Sequence, residues 1–240
     1  MRAELKRAIK PFVPRRLLRL WQARAERRRN VRQSPAELFG AIYRGKHWGE
    51  PDRDFYSGTG SYTPEVIEPF VAVVRAYLAA FPEPPIVVDV GCGDFTAGSR
   101  LVDLARHYHG CDVVPELIAR NRRLFAAPNL SFHLVDAVSD PLPAGDVALI
   151  KQVLQHLRND QIAAIARALA QYPVWIVSEH LPRGAFVPNR DQLAGGSTRL
   201  RVNSGVVLTE PPFRVAPKAV DILCEVPEQG HLIRTVAYRF

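Results

Sequence analysis

Asp89, Gly91 and Gly93 stand in the run IVVDVGCGDF (86–95), an apolar stretch that ends in an acid and then a glycine turn. Ile86, Val87, Val88 and Val90 suit an enclosed strand, and the two glycines let the turn take positive φ and bring backbone N–H groups against a ligand. A helix predicted over 97–108 would aim its N-terminus at the same ligand. Asp112 closes a second strand-like segment (108–112), roughly twenty positions past the glycine turn, where a ribose-binding carboxylate belongs. Its two acceptor oxygens suit the two hydroxyls of a ribose diol. The competing reading is an acid that opens the turn before Pro115. Asp136 follows a third apolar segment (132–135) and is set to accept a hydrogen bond, although a plain loop aspartate would look the same.

A dinucleotide fingerprint G-x-G-x-x-G needs glycine at 96, where this chain has Thr96, so the usual close approach to a pyrophosphate is missing. Asp89, Val90, Gly91, Cys92 and Gly93 instead resemble motif I of the class I S-adenosylmethionine-dependent methyltransferases, in particular the bacterial small-molecule or glycan type, whose loop holds a methionine tail. The resemblance departs from the fullest family pattern at Phe95, where a third glycine often stands, which predicts a stiffer or displaced loop. VVPELIARNR (113–122) is similar to the helix that follows the ribose acid. DVALIK (146–151), running into QVLQHL, resembles motif IV. The resemblance implies S-adenosyl-L-methionine as cofactor, with Asp89 partnering the methionine ammonium, Asp112 the ribose and Asp136 the adenine amino group. Gly91, Cys92, Gly93, Ala137 and Gln152 are the further cofactor contacts it implies.

Methyl transfer asks mainly that the acceptor atom be aligned behind the methyl carbon, and orientation alone supplies roughly 7 to 11 kcal/mol. A hydroxyl acceptor must also lose its proton, for which a positioned base contributes about 10²- to 10⁴-fold, and histidine suits that task. His156, just past the fourth strand, and His180, at the end of the fifth (WIVSEHLP), are the candidates, each with packing as its competing reading. Glu179 would orient an imidazole or act as base itself, but neighbouring strand side chains point to opposite faces.

These residues need a frame. With 240 residues and 47% hydrophobic content the chain can fill a sizeable core. The expected fold is α/β: a three-layer, Rossmann-like doubly wound sheet of about seven strands, mostly parallel with an antiparallel C-terminal strand. The expected organisation is a basic amphipathic extension (1–34), a helical cap with lead-in helix (35–85) and the methyltransferase domain (86–240). The lead-in helix (65–81) has Thr63 as cap and Pro64 in the first helical position. SGTGS (57–61) reads as a flexible turn, with a lid built from Tyr56, Ser57 and Ser61 as the alternative, and Trp48 and Tyr56 are candidate pocket walls. Residues 181–217 read as a long irregular stretch, and 219–226 with 232–240 as a hairpin. Arg190, Arg199 and Arg201 in the irregular stretch are candidates for an anionic acceptor such as a phosphorylated or carboxylated saccharide, or are exposed loop charges.

The net charge of +8 is concentrated: residues 1–34 hold 12 Arg or Lys against Glu4 and Glu26, and the remainder is −2. Nucleic acid is therefore not the expected partner of the domain. Leu17, Leu18 and Trp21 interleave with Arg15, Arg16 and Arg19, which fits either peripheral membrane contact or an arm that docks on its own domain or a partner. No apolar run is long enough to span a bilayer. Cys92, Cys111 and Cys224 lack metal-ligand spacing and suit a reducing cytoplasm, so no metal is expected. The reading is a methyltransferase acting on oxygen of a small-molecule or saccharide acceptor, cytoplasmic or membrane-peripheral, with the oligomeric state open. Its competitors are a non-catalytic module of the same fold tethered by the basic tail and, less favoured, an NAD-linked oxidoreductase.

Overall fold

The computed structural model describes residues 33–49 and 54–240. The basic extension expected over 1–34 lies, apart from Gln33 and Ser34, outside the described residues. Strands form at the apolar runs: β1 (Ile86–Val90), β2 (His107–Asp112), β3 (Leu130–Leu134), β4 (Val147–Lys151) and β5 (Val174–Leu181), followed by the hairpin β6 (Ala219–Glu228) and β7 (His231–Arg239). They make one seven-stranded sheet in the order β3-β2-β1-β4-β5-β7-β6. β1 to β5 pair in parallel, while β7 runs antiparallel to both β5 and β6. The expected doubly wound sheet is thus present. Its order reverses between β1 and β4, which opens a crevice beyond the carboxyl ends of the strands.

The helices are α1 (Pro35–Arg44), α2 (Pro64–Ala79), α3 (Pro115–Leu124) and α4 (Asn159–Leu169). Alternation along the strands serves both faces of the sheet. Val87 and Leu149 pack with Phe70, Val71 and Val74 of α2. Val88 and Ala148 pack with Ile162, Ile165 and Leu169 of α4. Pro64 occupies the start of α2 as predicted, but the Thr63 side chain makes no capping hydrogen bond. Among the described residues no helix is long and apolar enough to cross a membrane.

The helix predicted over 97–108 does not form. Two short 3-10 turns, Gly98–Arg100 and Val102–Leu104, lead directly into β2. Side chains from elsewhere take the carbonyls that a helix would have used internally: Arg75 of α2 donates to the Arg100 carbonyl (2.6 Å), and the Asn129 amide donates to those of Val102 (2.9 Å) and Ala105 (2.7 Å). The loop after β1 therefore faces its ligand without a helix dipole behind it, an arrangement poorly suited to a diphosphate.

Phe95 holds φ +65°, the left-handed backbone that a glycine would adopt freely. Its ring is buried and meets Tyr108, Phe125 and Phe132 edge-on, with centroids 5.6, 5.1 and 4.8 Å away. Aromatic packing thus offsets a backbone cost of about 1–2 kcal/mol. Phe95→Ala keeps the strained backbone and loses the packing, so urea unfolding should show a loss of about 3–5 kcal/mol. Phe95→Gly should recover about 1 kcal/mol of that loss. Equal stability of the two variants would show that the left-handed backbone is not strained.

Candidate active site

The glycine loop is shaped by what touches it. Gly91 and Gly93 have φ of +77° and +56°, and the N–H groups of Gly91 and Cys92 donate to the Cys111 carbonyl (2.8 and 2.9 Å). A Cβ on Gly91 would come within 2.5 Å of the Val153 side chain, and one on Gly93 within 2.7 Å of Ser57 Oγ. Asp112 ties the loop down, accepting from the Gly93 N–H through Oδ2 and from the Val114 N–H through Oδ1, both at 3.0 Å. It therefore does open the turn into α3, and it fixes the glycine loop as well. Each carboxylate oxygen keeps a free lone pair for a further donor. Burial pushes the Asp112 pKa up, against the backbone hydrogen bonds that hold it down.

Asp89 is buried at the end of β1 and accepts from the Tyr108 hydroxyl (3.0 Å). Burial raises its pKa to about 7, against the pull of that hydrogen bond. Asp136 accepts from the Val138 N–H (3.0 Å) and so also organises its own turn. Asp89, Gly91, Cys92, Gly93, Asp112, Asp136, Ala137 and Gln152 all line one cleft of about 420 Å³, a size typical of small-molecule sites.

Two site residues escaped the sequence reading. Asp94, directly after the second glycine, accepts from the Ser57 N–H (3.0 Å) and the Tyr62 hydroxyl (2.8 Å), while its own N–H donates to Ser57 Oγ (3.1 Å). Lys151, the one charged residue of the otherwise apolar β4, donates from Nζ to the Gly60 carbonyl (2.8 Å) and to Ser61 Oγ (3.1 Å). Together they fasten residues 57–62 as a strap along the cleft. The flexible turn expected there is instead a 3-10 turn, Thr59–Ser61, with Gly60 and Ser61 buried. Ser57 and Ser61 line the cleft, as the lid alternative required, but Tyr56 stacks on Tyr62 (4.8 Å between centroids) and is not a wall residue. A lone lysine closing an apolar strand is the one local signal; the contacts of Asp94 with the strap span more than thirty residues and leave none.

The far end of the cleft holds both histidines. Gln155 Oε1 accepts from the His180 backbone N–H (3.2 Å), which fixes the amide orientation and makes His180 Nδ1, 2.8 Å away, a donor. His180 Nε2 faces the Glu228 carboxylate, so both its ring nitrogens are engaged by hydrogen-bond partners. The pairing holds the Glu228 carboxyl below the usual range. Gln155 Nε2 then donates toward His156 Nε2 (3.3 Å), and His156 Nδ1 donates to the Gly195 carbonyl (3.2 Å). His156 is thus a neutral imidazole, in keeping with burial lowering its pKa to about 4. Trp48 lies against it, 5.2 Å between ring centroids, and donates to the Gly196 carbonyl (2.9 Å).

Glu179 corrects the sequence reading. Its carboxylate accepts from the N–H groups of Val153, Leu154 and Gln155 (3.1, 2.7 and 3.2 Å), capping the turn after β4, and it does not line the cleft. The opposite-face rule for adjacent strand residues separates it from His180. Arg199 is buried and donates to the carbonyls of Arg190 (2.5 Å) and Leu157 (2.6 Å), which makes it a structural tie. Arg190 and Arg201 are exposed, and none of the three arginines lines the cleft.

Asp89 yields a pH-dependent prediction. Its folded pKa of about 7 lies above the ordinary carboxylate value of 3.8, so the associated stability is present in full below pH 3.8 and is lost as pH rises through 7. Without cofactor, Asp89→Asn should melt several degrees above the parent at pH 8, with the gap closing at pH 5. A gap that does not change with pH would contradict the buried-charge assignment.

The family model described as "Methyltransferase domain" matches residues 87–172, a segment that contains the glycine loop, Asp112, Asp136 and His156. No curated protein matches the chain. Among solved structures, human N-acetylserotonin methyltransferase in complex with S-adenosylmethionine is similar with a TM-score of 0.54 at 16% identity, over 86% of this chain and 60% of that one. Magnesium protoporphyrin IX methyltransferase from Synechocystis PCC 6803 gives 0.54 at 15% identity, over 84% and 95%. Burkholderia thailandensis 1,6-didemethyltoxoflavin-N1-methyltransferase, with 1,6-didemethyltoxoflavin and S-adenosylhomocysteine bound, gives 0.52 at 18%, over 84% and 86%. At these identities the likeness is one of fold, and the chain spans less than two thirds of the human enzyme. The matched segment carries the glycine loop and its acids in order, so residues 87–172 are similar to a methyltransferase domain, and the fold is one shared with S-adenosylmethionine-dependent methyltransferases.

Proposed function

We propose that the protein transfers a methyl group from S-adenosylmethionine to a hydroxyl oxygen of a small molecule with an apolar body. The residues present fit the cofactor. A side chain at Gly91 or Gly93 would collide with its neighbours, the Asp112 carboxylate keeps acceptor capacity, and the Gln152 amide Nε2 is buried without a hydrogen-bond partner. In this reading Asp112 holds the ribose, Asp89 the methionine ammonium and Asp136 the adenine amino group. When bound, the cofactor supplies an electrophilic methyl on a sulfonium that is already a good leaving group.

The acceptor class rests on one observation: a neutral imidazole, His156, lies in the same cleft as the glycine loop and is walled by Trp48. Phe39 and Tyr43 continue that wall, which suits a flat apolar acceptor. His156 Nε2 carries the lone pair that would take the hydroxyl proton, its 3.3 Å contact with Gln155 being the long bond that the acceptor replaces. His180 has both ring nitrogens engaged, by Gln155 and Glu228, and acts by holding Gln155. With the arginines directed away from the cleft, an anionic saccharide finds no counter-charge from them, and an uncharged small molecule is the better fit.

Methyl transfer from tritiated S-adenosylmethionine to a panel of hydroxyl- and amine-bearing aromatic compounds tests this. Hydroxyl acceptors should be labelled, and His156→Ala should lower kcat by about 10²- to 10⁴-fold while the KM for the cofactor is unchanged. Labelling of amines alone, with His156→Ala fully active, would overturn the reading.

A further inference from the structure

Residues 1–32 lie outside the described residues, but the fold fixes where they join the domain. Ser34 and Glu37 cap the start of α1 reciprocally: the Glu37 N–H donates to Ser34 Oγ (3.3 Å), and the Ser34 N–H donates to the Glu37 carboxylate (2.9 Å). Pro35, the next residue, lines the cleft, and Phe39, Tyr43 and Trp48 carry the same wall on to His156. Arg32 is three residues from Pro35, so the chain keeps it within about 11 Å of the cleft lining. The basic extension is thus tethered at the acceptor end of the cleft. Lys46, exposed just after α1, adds a second basic flank to the same wall.

The sequence of the extension decides what it can meet. Between Glu4 and Glu26 it has no acid, and seven Arg or Lys stand there among apolar residues that include Leu17, Leu18 and Trp21. The domain offers it few partners. Beyond residue 34 the chain is −2 overall, and the exposed carboxylates of Glu68, Asp103 and Asp160 already pair with Arg100, Arg75 and Arg158 at 2.6, 2.7 and 2.8 Å. A nucleic acid would take up the charge and leave the leucines and the tryptophan in water. An anionic bilayer accommodates both, since each Lys or Arg near it is worth about 1 kcal/mol and Trp and Leu enter the interface.

We propose that residues 1–34 seat the protein on an anionic lipid surface with the aromatic end of the cleft turned toward it, so that the acceptor is an amphiphile drawn from the bilayer. The acceptor part rests on the apolar-acceptor reading above and goes beyond it by naming the acceptor's source. An amphiphile keeps its apolar body in lipid and its hydroxyl at the interface, and the hydroxyl is the end that must reach His156.

Flotation of the full chain with phosphatidylcholine vesicles, with and without about 30% phosphatidylglycerol, tests the attachment. The protein should float with the anionic vesicles alone and be released by about 1 M salt. Replacing Arg15, Arg16 and Arg19 together by Gln should weaken binding by at least about tenfold, and adding Trp21→Ala should weaken it further. Acrylamide quenching of fluorescence in a Trp21→Phe background reads the orientation. Trp48, half-buried at the cleft, should become shielded when anionic vesicles are added, whereas the buried Trp175 is protected in both states. No flotation would overturn the proposal, and retention on single-stranded RNA in its place would assign the extension to nucleic acid. Flotation unchanged by the arginine substitutions would overturn it as well. Trp48 quenching that stays the same on vesicle binding would turn the cleft away from the lipid and remove the bilayer as the acceptor's source. Both readouts are independent of turnover, so labelling of amines alone in the tritium assay would overturn the hydroxyl reading and leave these results intact.

Discussion

The site depends on one buried carboxylate. Asp112 ends β2 beside the point where β1 gives way to its loop, because the two strands pair in parallel with Val90 opposite Cys111. From there it accepts one backbone N–H from the loop and one from the start of α3. An amide side chain offers one acceptor oxygen and could not take both bonds with lone pairs to spare for a ligand. Asn121 of α3 completes the tie by donating to the Gly93 carbonyl (2.7 Å). The left-handed glycines, the left-handed Phe95 beyond them and the Asp94 anchor of the strap all follow from where this carboxylate holds Gly93.

The strap gives the cleft its second property, that its two ends are mechanically linked. Residues 57–62 are fixed to the cofactor end by Asp94 and Lys151. They are fixed to the acceptor end by Thr59, whose hydroxyl donates to Glu228 (2.7 Å), the residue that pairs with His180. From His180 the chain of polar contacts runs through Gln155 to His156. Along it both ring nitrogens of His180 are engaged, and the His156 ring is neutral. The polar chain lies beside an aromatic wall of Phe39, Tyr43 and Trp48, so the acceptor end is apolar on one side and hydrogen-bonding on the other.

Much of this was legible in the sequence because strand ends are local. An apolar run closed by Asp89, Asp112, Asp136 or Lys151 marks its own end, and in a parallel sheet those ends converge on one crevice without any knowledge of distant contacts. Turns decided from afar were not legible. The stretch after Thr96 has helix-compatible residues, but Arg75 and Asn129 capture its carbonyls, and neither is near it in sequence. The strap looked flexible from its glycines and serines, and only the fold brings Asp94 and Lys151 to it. Strand alternation, which the sequence does disclose, sends Glu179 and His180 to different tasks. Arg199 reads from sequence as either an anion ligand or an exposed loop charge, and is neither, because its burial under two carbonyls has no sequence signature.

The central claim is that the loop pinned by Asp112 is a nucleoside-binding loop whose ribose meets that same carboxylate. A crystal structure of the complex with S-adenosylhomocysteine tests it most directly. The account predicts both ribose hydroxyls within about 2.5–3.0 Å of the Asp112 carboxylate oxygens, with the Gly93 and Val114 hydrogen bonds retained. A nucleoside bound elsewhere in the cleft, with Asp112 making only its two backbone bonds, would contradict it.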